Sequence, residues 1–258
     1  MKKIILSGAS IVALSAATPA FAQSTSTVNQ TGNNNDAAVT QTGDQTSTID
    51  QIGDDQEATV DQSGSGNEST ILQDASTPND AFVTQEGTDG VAEITQTLTT
   101  DSSTATINQA SDADTNTAII FQSDSLGDTA EINQGGGINN VAEIDQGDAL
   151  LVGGAVVGSS NSVATVNQTG SDLAALVVQG GDAQDATVTQ TGDTNDALVA
   201  QGTFGGSGSL ATVNQSGTGT LSIATVFQDS DNNDADILQT GGGGTRSRRH
   251  CPWQFAPP

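Results

Sequence analysis

Residues 24 to 41, S-T-S-T-V-N-Q-T-G-N-N-N-D-A-A-V-T-Q, decide the fold of this chain. The stretch holds two short runs in which small or apolar residues alternate with polar ones, and the runs end at Gln30 and Gln41. Alternation at period two over about six residues is typical of a β-strand. Gly and Asn between the runs suit a tight turn, because they tolerate positive φ. The stretch therefore predicts a strand–turn–strand unit.

The same unit recurs along the chain. Val or Ile stands two places before each of 18 glutamines, and Ala or Ser stands four places before each of them. Successive glutamines lie 10 to 14 residues apart, except for a gap of 22 residues between Gln146 and Gln168. We expect that gap to hold a degraded copy at residues 153–159, with Ser159 in place of Gln. The 18 glutamines are Gln30, Gln41, Gln51, Gln62, Gln73, Gln85, Gln96, Gln109, Gln122, Gln134, Gln146, Gln168, Gln179, Gln190, Gln201, Gln215, Gln228 and Gln239.

A fixed internal period of this kind is the sequence signature of a repeat architecture. One unit offers only Ala and Val for burial, which is too little to offset the entropy of ordering about 22 residues. Stacked units instead bring like side chains into register, and buried amides then hydrogen-bond to one another. The predicted fold class is therefore all-β, a β-solenoid or cross-β stack of about nine to ten strand–turn–strand repeats of ~22 residues.

We expect the side chains of the stacking ladder to carry the function of such a fold. These residues are the small, β-branched or amide positions of the inner face, together with the turn glycine. They are Ser24, Val28, Gln30, Gly32, Asn35, Ala37, Val39, Gln41, Gln62, Gln85, Gln109, Gln168, Gln190, Asn195, Gln201, Gln215 and Gln239.

The sequence divides into three parts. Residues 1–22 read as a signal peptide, with Lys2 and Lys3 before a short apolar stretch and an A-x-A cleavage site at residues 20–22. A transmembrane helix is the alternative, but the apolar run is shorter than the roughly 20 residues that a membrane span needs. Residues 23–241 form the repeat region. Residues 242–258 have another composition and hold all three arginines, with the single His, Cys and Trp.

Composition excludes several classes of function. The net charge is -26, and no Lys or Arg occurs between residues 4 and 245. Nucleic-acid binding needs positive charge, and so does a polysaccharide lyase that receives an acidic sugar. We therefore expect no enzyme, no catalytic or cofactor-binding residue, and no cofactor. Asp-rich turns such as residues 53–55 suit weak Ca²⁺ binding at most, and no specific metal site is predicted.

Residues 24–41 resemble the curlin repeat of the curli fibre subunits. The matching positions are Ser24, Gln30, Gly32, Asn35, Ala37 and Gln41, and partial copies follow at residues 184–201 and 209–228. The resemblance covers roughly residues 24 to 241. It implies a functional amyloid that is secreted to the surface of a Gram-negative-type bacterium and forms fibres for adhesion, aggregation or biofilm matrix.

The resemblance also implies partners. They are further copies of the chain in a homopolymer, a minor nucleator subunit, and an outer-membrane secretion pore. Three features depart from the curlin pattern, namely repeats that begin directly after the predicted cleavage site, nearly twice the usual five repeats, and the lack of Lys and Arg within them.

Two questions stay open at this level. The alternative function is a monomeric acidic β-solenoid that acts as an adhesin or as a ligand- or ice-binding surface, the last of which needs a regular Thr-x-Thr ladder on one outer face. Residues 242–258 are either a functional tail, such as an anchor or a stop to stacking, or a disordered or frame-slip product of the preceding glycine run.

Overall fold

The computed structural model describes residues 5–6, 11–16, 23–75, 77–98, 102–147, 158–202, 206–217, 221–241 and 244–250. Within these ranges the chain is all-β and contains no helix. It winds as a coil in which each turn contributes one strand to each of two parallel sheets. Each repeat strand inside the stack pairs with the strand one turn before it and the strand one turn after it, so the chain forms a β-solenoid, as the repeat predicts.

The first sheet contains the odd-numbered repeats. Strands β4 (Asp36–Ile52) and β5 (Glu57–Ala75) run through the corner of the coil, and their second halves belong to this sheet. The other strands of the first sheet are β1 (Ile5–Leu6), β3 (Thr25–Thr31), β7 (Val91–Leu98), β10 (Thr117–Ser123), β14 (Val141–Gln146), β17 (Ala174–Gln179), β20 (Asn195–Gln201), β22 (Ser222–Gln228) and β24 (Gly244–His250).

The second sheet contains the even-numbered repeats and the first halves of β4 and β5. Its other strands are β2 (Ile11–Ala16), β6 (Asp80–Gln85), β8 (Thr104–Gln109), β12 (Thr129–Gly135), β16 (Val163–Ser171), β19 (Asp185–Asp193), β21 (Leu210–Gly217) and β23 (Asp234–Thr240). Five two-residue strands pair in the connecting arcs, namely β9 (Ala113–Asp114), β11 (Ser125–Leu126), β13 (Gly137–Ile138), β15 (Ser159–Ser160) and β18 (Gly181–Asp182).

The strand register follows the sequence repeat. Gln pairs with Gln, Val or Ile with Val or Ile, and Ala or Ser with Ala or Ser in each pairing between repeat strands. Eight turns of the coil separate Gln30 from Gln228 in the first sheet. At ~4.8 Å per turn, the repeat region is about 38 Å long.

The core is a thin layer between the two sheets. It consists of the Ala and Val or Ile residues of each repeat, from Val28 to Ile237, and nearly all of them are less than 6% exposed. Small side chains at every second position let the two sheets approach closely, and the burial of each Val or Ile contributes about 1.5–3 kcal/mol. Stability therefore accumulates turn by turn.

The degraded copy predicted between Gln146 and Gln168 is wrong. Gln146 pairs with Gln179 in the first sheet, whereas Gln168 pairs with Gln134 and Gln190 in the second. The two glutamines thus lie in strands of different sheets, and the described residues between those strands, 147 and 158–162, contain no repeat strand. Ser159 lies in an arc and pairs with Ser125 and Gly181, while residues 148–157 lie outside the described residues.

Segments from outside the repeat region pair at both ends of the stack. Two strands of the predicted signal peptide, β1 and β2, pair with β3 and with the first half of β4. At the other end, β24 from the predicted tail pairs with β22. Residues 251–258 lie outside the described residues.

Candidate functional site

Two glutamine ladders run along the interior of the coil. In each ladder the Nε2 atom of one Gln donates to the Oε1 atom of the Gln one turn later. All 16 of these hydrogen bonds, eight in each sheet, are between 2.7 and 3.0 Å long. From Gln30 onward the ladder glutamines are buried, apart from Gln41, which is half-buried.

The same amides also join the two sheets. Besides its ladder bond, Gln73 donates to the carbonyl oxygens of Glu57 at 3.0 Å and Asn79 at 2.9 Å, which lie where the neighbouring strands begin. Gln134 makes equivalent bonds to Thr117 at 3.0 Å and Asn140 at 3.2 Å. A buried amide left without partners is costly, and here each amide hydrogen reaches an acceptor. The Gln of each repeat therefore fixes the register and closes the coil.

A second set of polar side chains occupies the start of most repeat strands, six places before Gln, where Gly90 and Leu173 are the exceptions. Asn35 is 2% exposed; its Oδ1 accepts from the backbone N–H of Gln56 at 3.0 Å, and its Nδ2 donates to the carbonyl oxygen of Gly53 at 2.9 Å. Asn140 does the same with Leu173 at 3.0 Å and Gly170 at 2.7 Å. These side chains supply partners for the backbone where the chain turns and the β-ladder is interrupted.

The turn glycines allow adjacent turns of the coil to approach. Gly32 has a φ of 119°, and a Cβ built on it would lie 1.7 Å from the carbonyl oxygen of Gly53. A residue with a side chain therefore cannot replace Gly32 without moving the backbone of the next turn. This contact explains why Gly is the preferred residue two places after Gln.

The structure brings the predicted residues of the first repeat to one end of the stack. Val28, Ala37 and Val39 are buried in the core, whereas Ser24 is half-buried and donates its hydroxyl hydrogen to the carbonyl oxygen of Gly43. The remaining predicted residues lie on the inner face along the stack, where Asn195 donates to Thr191 O at 3.1 Å. Their role in templating another chain stays a prediction.

Asp128 is a buried carboxyl group that the sequence pattern missed. It occupies the position of Asn35 and Asn140 in its own repeat, and its Oδ1 accepts from the backbone N–H of Ser162 at 2.8 Å. Its Oδ2 accepts from the hydroxyl group of Ser159. Burial raises the pKa of Asp128, and these two hydrogen bonds oppose only part of that rise. The signal was present in the spacing, because Asp128 stands six places before Gln134.

Glutamine also replaces Asn at the strand start in three repeats. Gln56 donates to the carbonyl oxygen of Ala75 at 2.7 Å, and the Oε1 of Gln45 accepts from the N–H of Asn67 at 3.0 Å. Gln184 donates to the carbonyl oxygen of Gly206 at 2.6 Å. A search for Asn or Ser alone misses these residues, although a primary amide at this position makes the same type of bond.

In the described strands, no ladder of one residue type runs the length of an outer face. Thr27 pairs with Thr48, and Thr48 with Thr70, but Thr70 then pairs with Glu93. Ice binding needs a longer regular array, so this face does not favour it. In the arcs, carboxylates accept from backbone N–H groups of the neighbouring turn, as Asp54 does from Asn33 at 2.7 Å and Asp231 from Ser207 at 2.9 Å.

Among the described residues, no three His, Cys, Asp or Glu side chains lie close enough together to hold a metal ion. The same part of the chain has no helix with the length and apolar character to span a membrane.

Comparison with known proteins identifies the repeat. The family model described as the Curlin associated repeat matches residues 44–74 and 181–217. No curated protein matches the chain. Both matched segments lie in the coil, and the register of their strands continues into the turns on either side. The comparison therefore supports curlin-associated repeats in these two segments of the chain.

Proposed function

We propose that this protein is a secreted structural protein whose copies assemble into extracellular, curli-like fibres that serve adhesion, aggregation or a biofilm matrix. The repeat family and the β-solenoid fold fit a curli-like structural protein. The observation that carries the proposal is the pair of uninterrupted glutamine ladders, which repeat with every turn and have no internal stopping point.

Assembly continues the stack from one copy to the next. If the signal peptide is removed after Ala22, β1 and β2 leave with it, and the edges of β3 and of the first half of β4 become free. Unpaired strand edges template the addition of another chain. Ser26, Val28 and Gln30 then face a partner strand of the same pattern, so a second copy supplies the missing half of each ladder.

The acidic surface controls the rate in this proposal. The full chain has a net charge of -26, and each mature copy is more acidic still because it lacks Lys2 and Lys3. Like charges on two stacks repel until protons, salt or divalent cations screen them. Growth is expected to be faster at low pH or with added Ca²⁺. Growth rates that stay constant between about pH 4 and pH 8 would contradict this electrostatic role.

Fibre formation itself is tested with the mature chain, beginning at Gln23. Incubation is followed by thioflavin fluorescence, sedimentation and fibre diffraction, and we expect a meridional reflection near ~4.8 Å from the stacked strands. A chain that remains a soluble monomer after days at micromolar concentration would refute self-assembly and leave the monomeric adhesin as the better hypothesis.

Secretion is tested separately in cells. The predicted partners are a nucleator subunit and an outer-membrane pore, and fibres on the cell surface should disappear when the pore is absent. Intact surface fibres without any outer-membrane exporter of this type would show that the chain leaves the cell by another route.

A further inference from the structure

The segment after the repeats enters the stack as if it were one more repeat. Strand β24 pairs in parallel with β22, and His250 is aligned with Gln228. Gln239 donates from Nε2 to the carbonyl oxygen of Gly244 at 3.1 Å. Gln215 makes the same bond, also at 3.1 Å, to the carbonyl oxygen of Ser222, where β22 begins. The first residue of β24 therefore receives the same glutamine hydrogen bond as the first residue of a repeat strand.

The residues on β24 nevertheless do not suit the interior. The register sets Arg246 opposite Ala224 and Arg248 opposite Val226. Ala224 and Val226 are fully buried. Arg246 is exposed, because no further turn covers it in the described part of the chain. A turn stacked on β24 would pair with Arg246 and Arg248 at register positions that hold Ala and Val in the repeat strand β22. Burial of an unpaired charge costs several kcal/mol, so β24 can pair with β22 but cannot itself be covered.

The edge that β24 occupies is also the edge that a second copy needs. Strand β3 (Thr25–Thr31) is the first repeat strand and belongs to the first sheet, and the first half of β4 belongs to the second. When a copy continues the stack in the same order, its β3 pairs with β22 of the preceding copy. Strand β24 of the preceding copy already lies along that edge.

We propose that β24 is a displaceable cap, which covers the edge of β22 and delays the addition of a second copy. The proposal rests on the proposed function, because it describes how self-assembly is restrained. The incoming β3 brings Ser26, Val28 and Gln30 to positions where β24 has Arg246, Arg248 and His250. The incoming β3 therefore stacks on β22 better than β24 does. Replacement of β24 by β3 is favoured at equilibrium, but it is slow because β24 must first leave.

The first test compares the mature chain, residues 23–258, with a chain that ends at Gly241. Seeded growth is measured by thioflavin fluorescence at equal concentrations of chain and seed. We expect the shorter chain to elongate about tenfold faster and to show a shorter lag. Equal rates for the two chains would overturn the cap, whereas the absence of fibres from both would refute the proposed function instead.

A composition-matched variant separates register from charge. It exchanges neighbouring residues through Thr245→Arg, Arg246→Thr, Ser247→Arg and Arg248→Ser, which leaves the net charge unchanged and moves Arg out of the inner positions. The strands of both sheets have the same inner pattern of residues. A second copy that is rotated by half a turn about the axis of the coil can therefore pair with β23 and β24, provided that the inner residues of β24 are small. We expect growth close to that of the shorter chain. Growth as slow as that of the unmodified chain would overturn the role of the inner-face arginines.

Trypsin reports on the cap directly, because the mature chain has Arg at positions 246, 248 and 249 and no other Arg or Lys. In the monomer β24 is paired, and in the fibre the incoming β3 has displaced it. We therefore expect these bonds to be cut several-fold faster in fibres than in monomers at equal chain concentration. Slower or equal cleavage in fibres would show that β24 stays in place during growth.

Discussion

Removing one glutamine from the middle of the ladder tests whether the interior amides hold the coil together. Gln134 is 1% exposed and lies near the centre of the second sheet. Its Nε2 donates to Thr117 O, Asn140 O and Gln168 Oε1 at 3.0, 3.2 and 3.0 Å, and its Oε1 accepts from Gln109 Nε2 at 2.9 Å. The substitution Gln134→Ala removes all four contacts at once.

The expected loss of stability follows from these contacts. An intramolecular hydrogen bond contributes about 0.5–1.5 kcal/mol, and a buried donor or acceptor left without a partner costs about 1–3 kcal/mol. Gln134→Ala leaves the amide of Gln109 and the Oε1 of Gln168 without their ladder partner in the buried interior. We therefore expect a decrease of about 3–5 kcal/mol in the free energy of unfolding.

Asn133 offers a matched control on the outer face. It also forms an amide ladder, accepting from Asn108 at 2.8 Å and donating to Asn167 at 3.0 Å, but it is half-buried and its neighbours can turn to water. Asn133→Ala should cost about 1 kcal/mol or less. Both variants are unfolded in urea at concentrations that keep the chain monomeric, with circular dichroism as the signal. Equal losses for the two variants would refute the idea that the interior ladder, rather than strand pairing alone, stabilises the coil.

Three further sets of substitutions probe the start of a strand, a turn and an end of the stack. Asp128→Asn should raise the free energy of unfolding near pH 7 and have little effect near pH 4. The pKa of Asp128 is raised, so the fold loses stability as the pH rises and the buried carboxyl group ionises. An equal gain at both pH values in urea unfolding would contradict this. Gly170→Ala should lower the free energy of unfolding by at least ~2 kcal/mol, since the φ of Gly170 is 136° and a Cβ there would lie 1.7 Å from a carbonyl oxygen of the next turn. Gly241→Ala is the control and should cost clearly less, because Gly241 has a φ of 87° and a Cβ there would have no atom within 4 Å. Gln30→Ala combined with Gln41→Ala should slow seeded growth more than the same pair of changes in a central turn, and equal slowing would show that this end is not the templating surface.

Sequence alone predicted the fold because each repeat has the same alternation of residue classes at the same positions. The alternation gives strands, and the invariant classes at Val28 and Gln30 give the register, since any other pairing would place Gln against Val. The predicted β-solenoid is confirmed. The glycine preference after Gln is likewise explained by a physical contact, the approach of Gly32 to Gly53.

The gap before Gln168 shows where the same reasoning fails. A count of residues suggested a missing strand, because 22 residues equal one full turn. The alternation between sheets is a stronger constraint than length, since Gln146 and Gln168 belong to different sheets and an extra strand would have placed them in one. The spacing between glutamines thus varies with the length of the arc, and only the pairing shows which strand follows which.

Asp128 and β24 were beyond the repeat pattern for a different reason. Both place a charged residue at a position where the other repeats have a neutral one. The sequence does not show whether a strand with such a residue still pairs within the coil. In the structure Asp128 stays in the coil, because Ser159 and Ser162 donate to its carboxylate. Gly244–His250 pairs with β22 and accepts a hydrogen bond from Gln239 at Gly244, and both interactions use the backbone of the segment, so they do not depend on its composition.

The glutamine ladders give the stack a direction. In both ladders each amide N–H points toward the higher-numbered end of the chain, and each amide oxygen points back. Aligned amide dipoles polarise one another, so the low-numbered end of a ladder presents oxygen and the high-numbered end presents hydrogen. A broken fibre can therefore rejoin in one orientation only, because two low-numbered ends would set oxygen against oxygen. Fragments of such fibres should anneal into single filaments of uniform polarity and never into filaments that reverse partway.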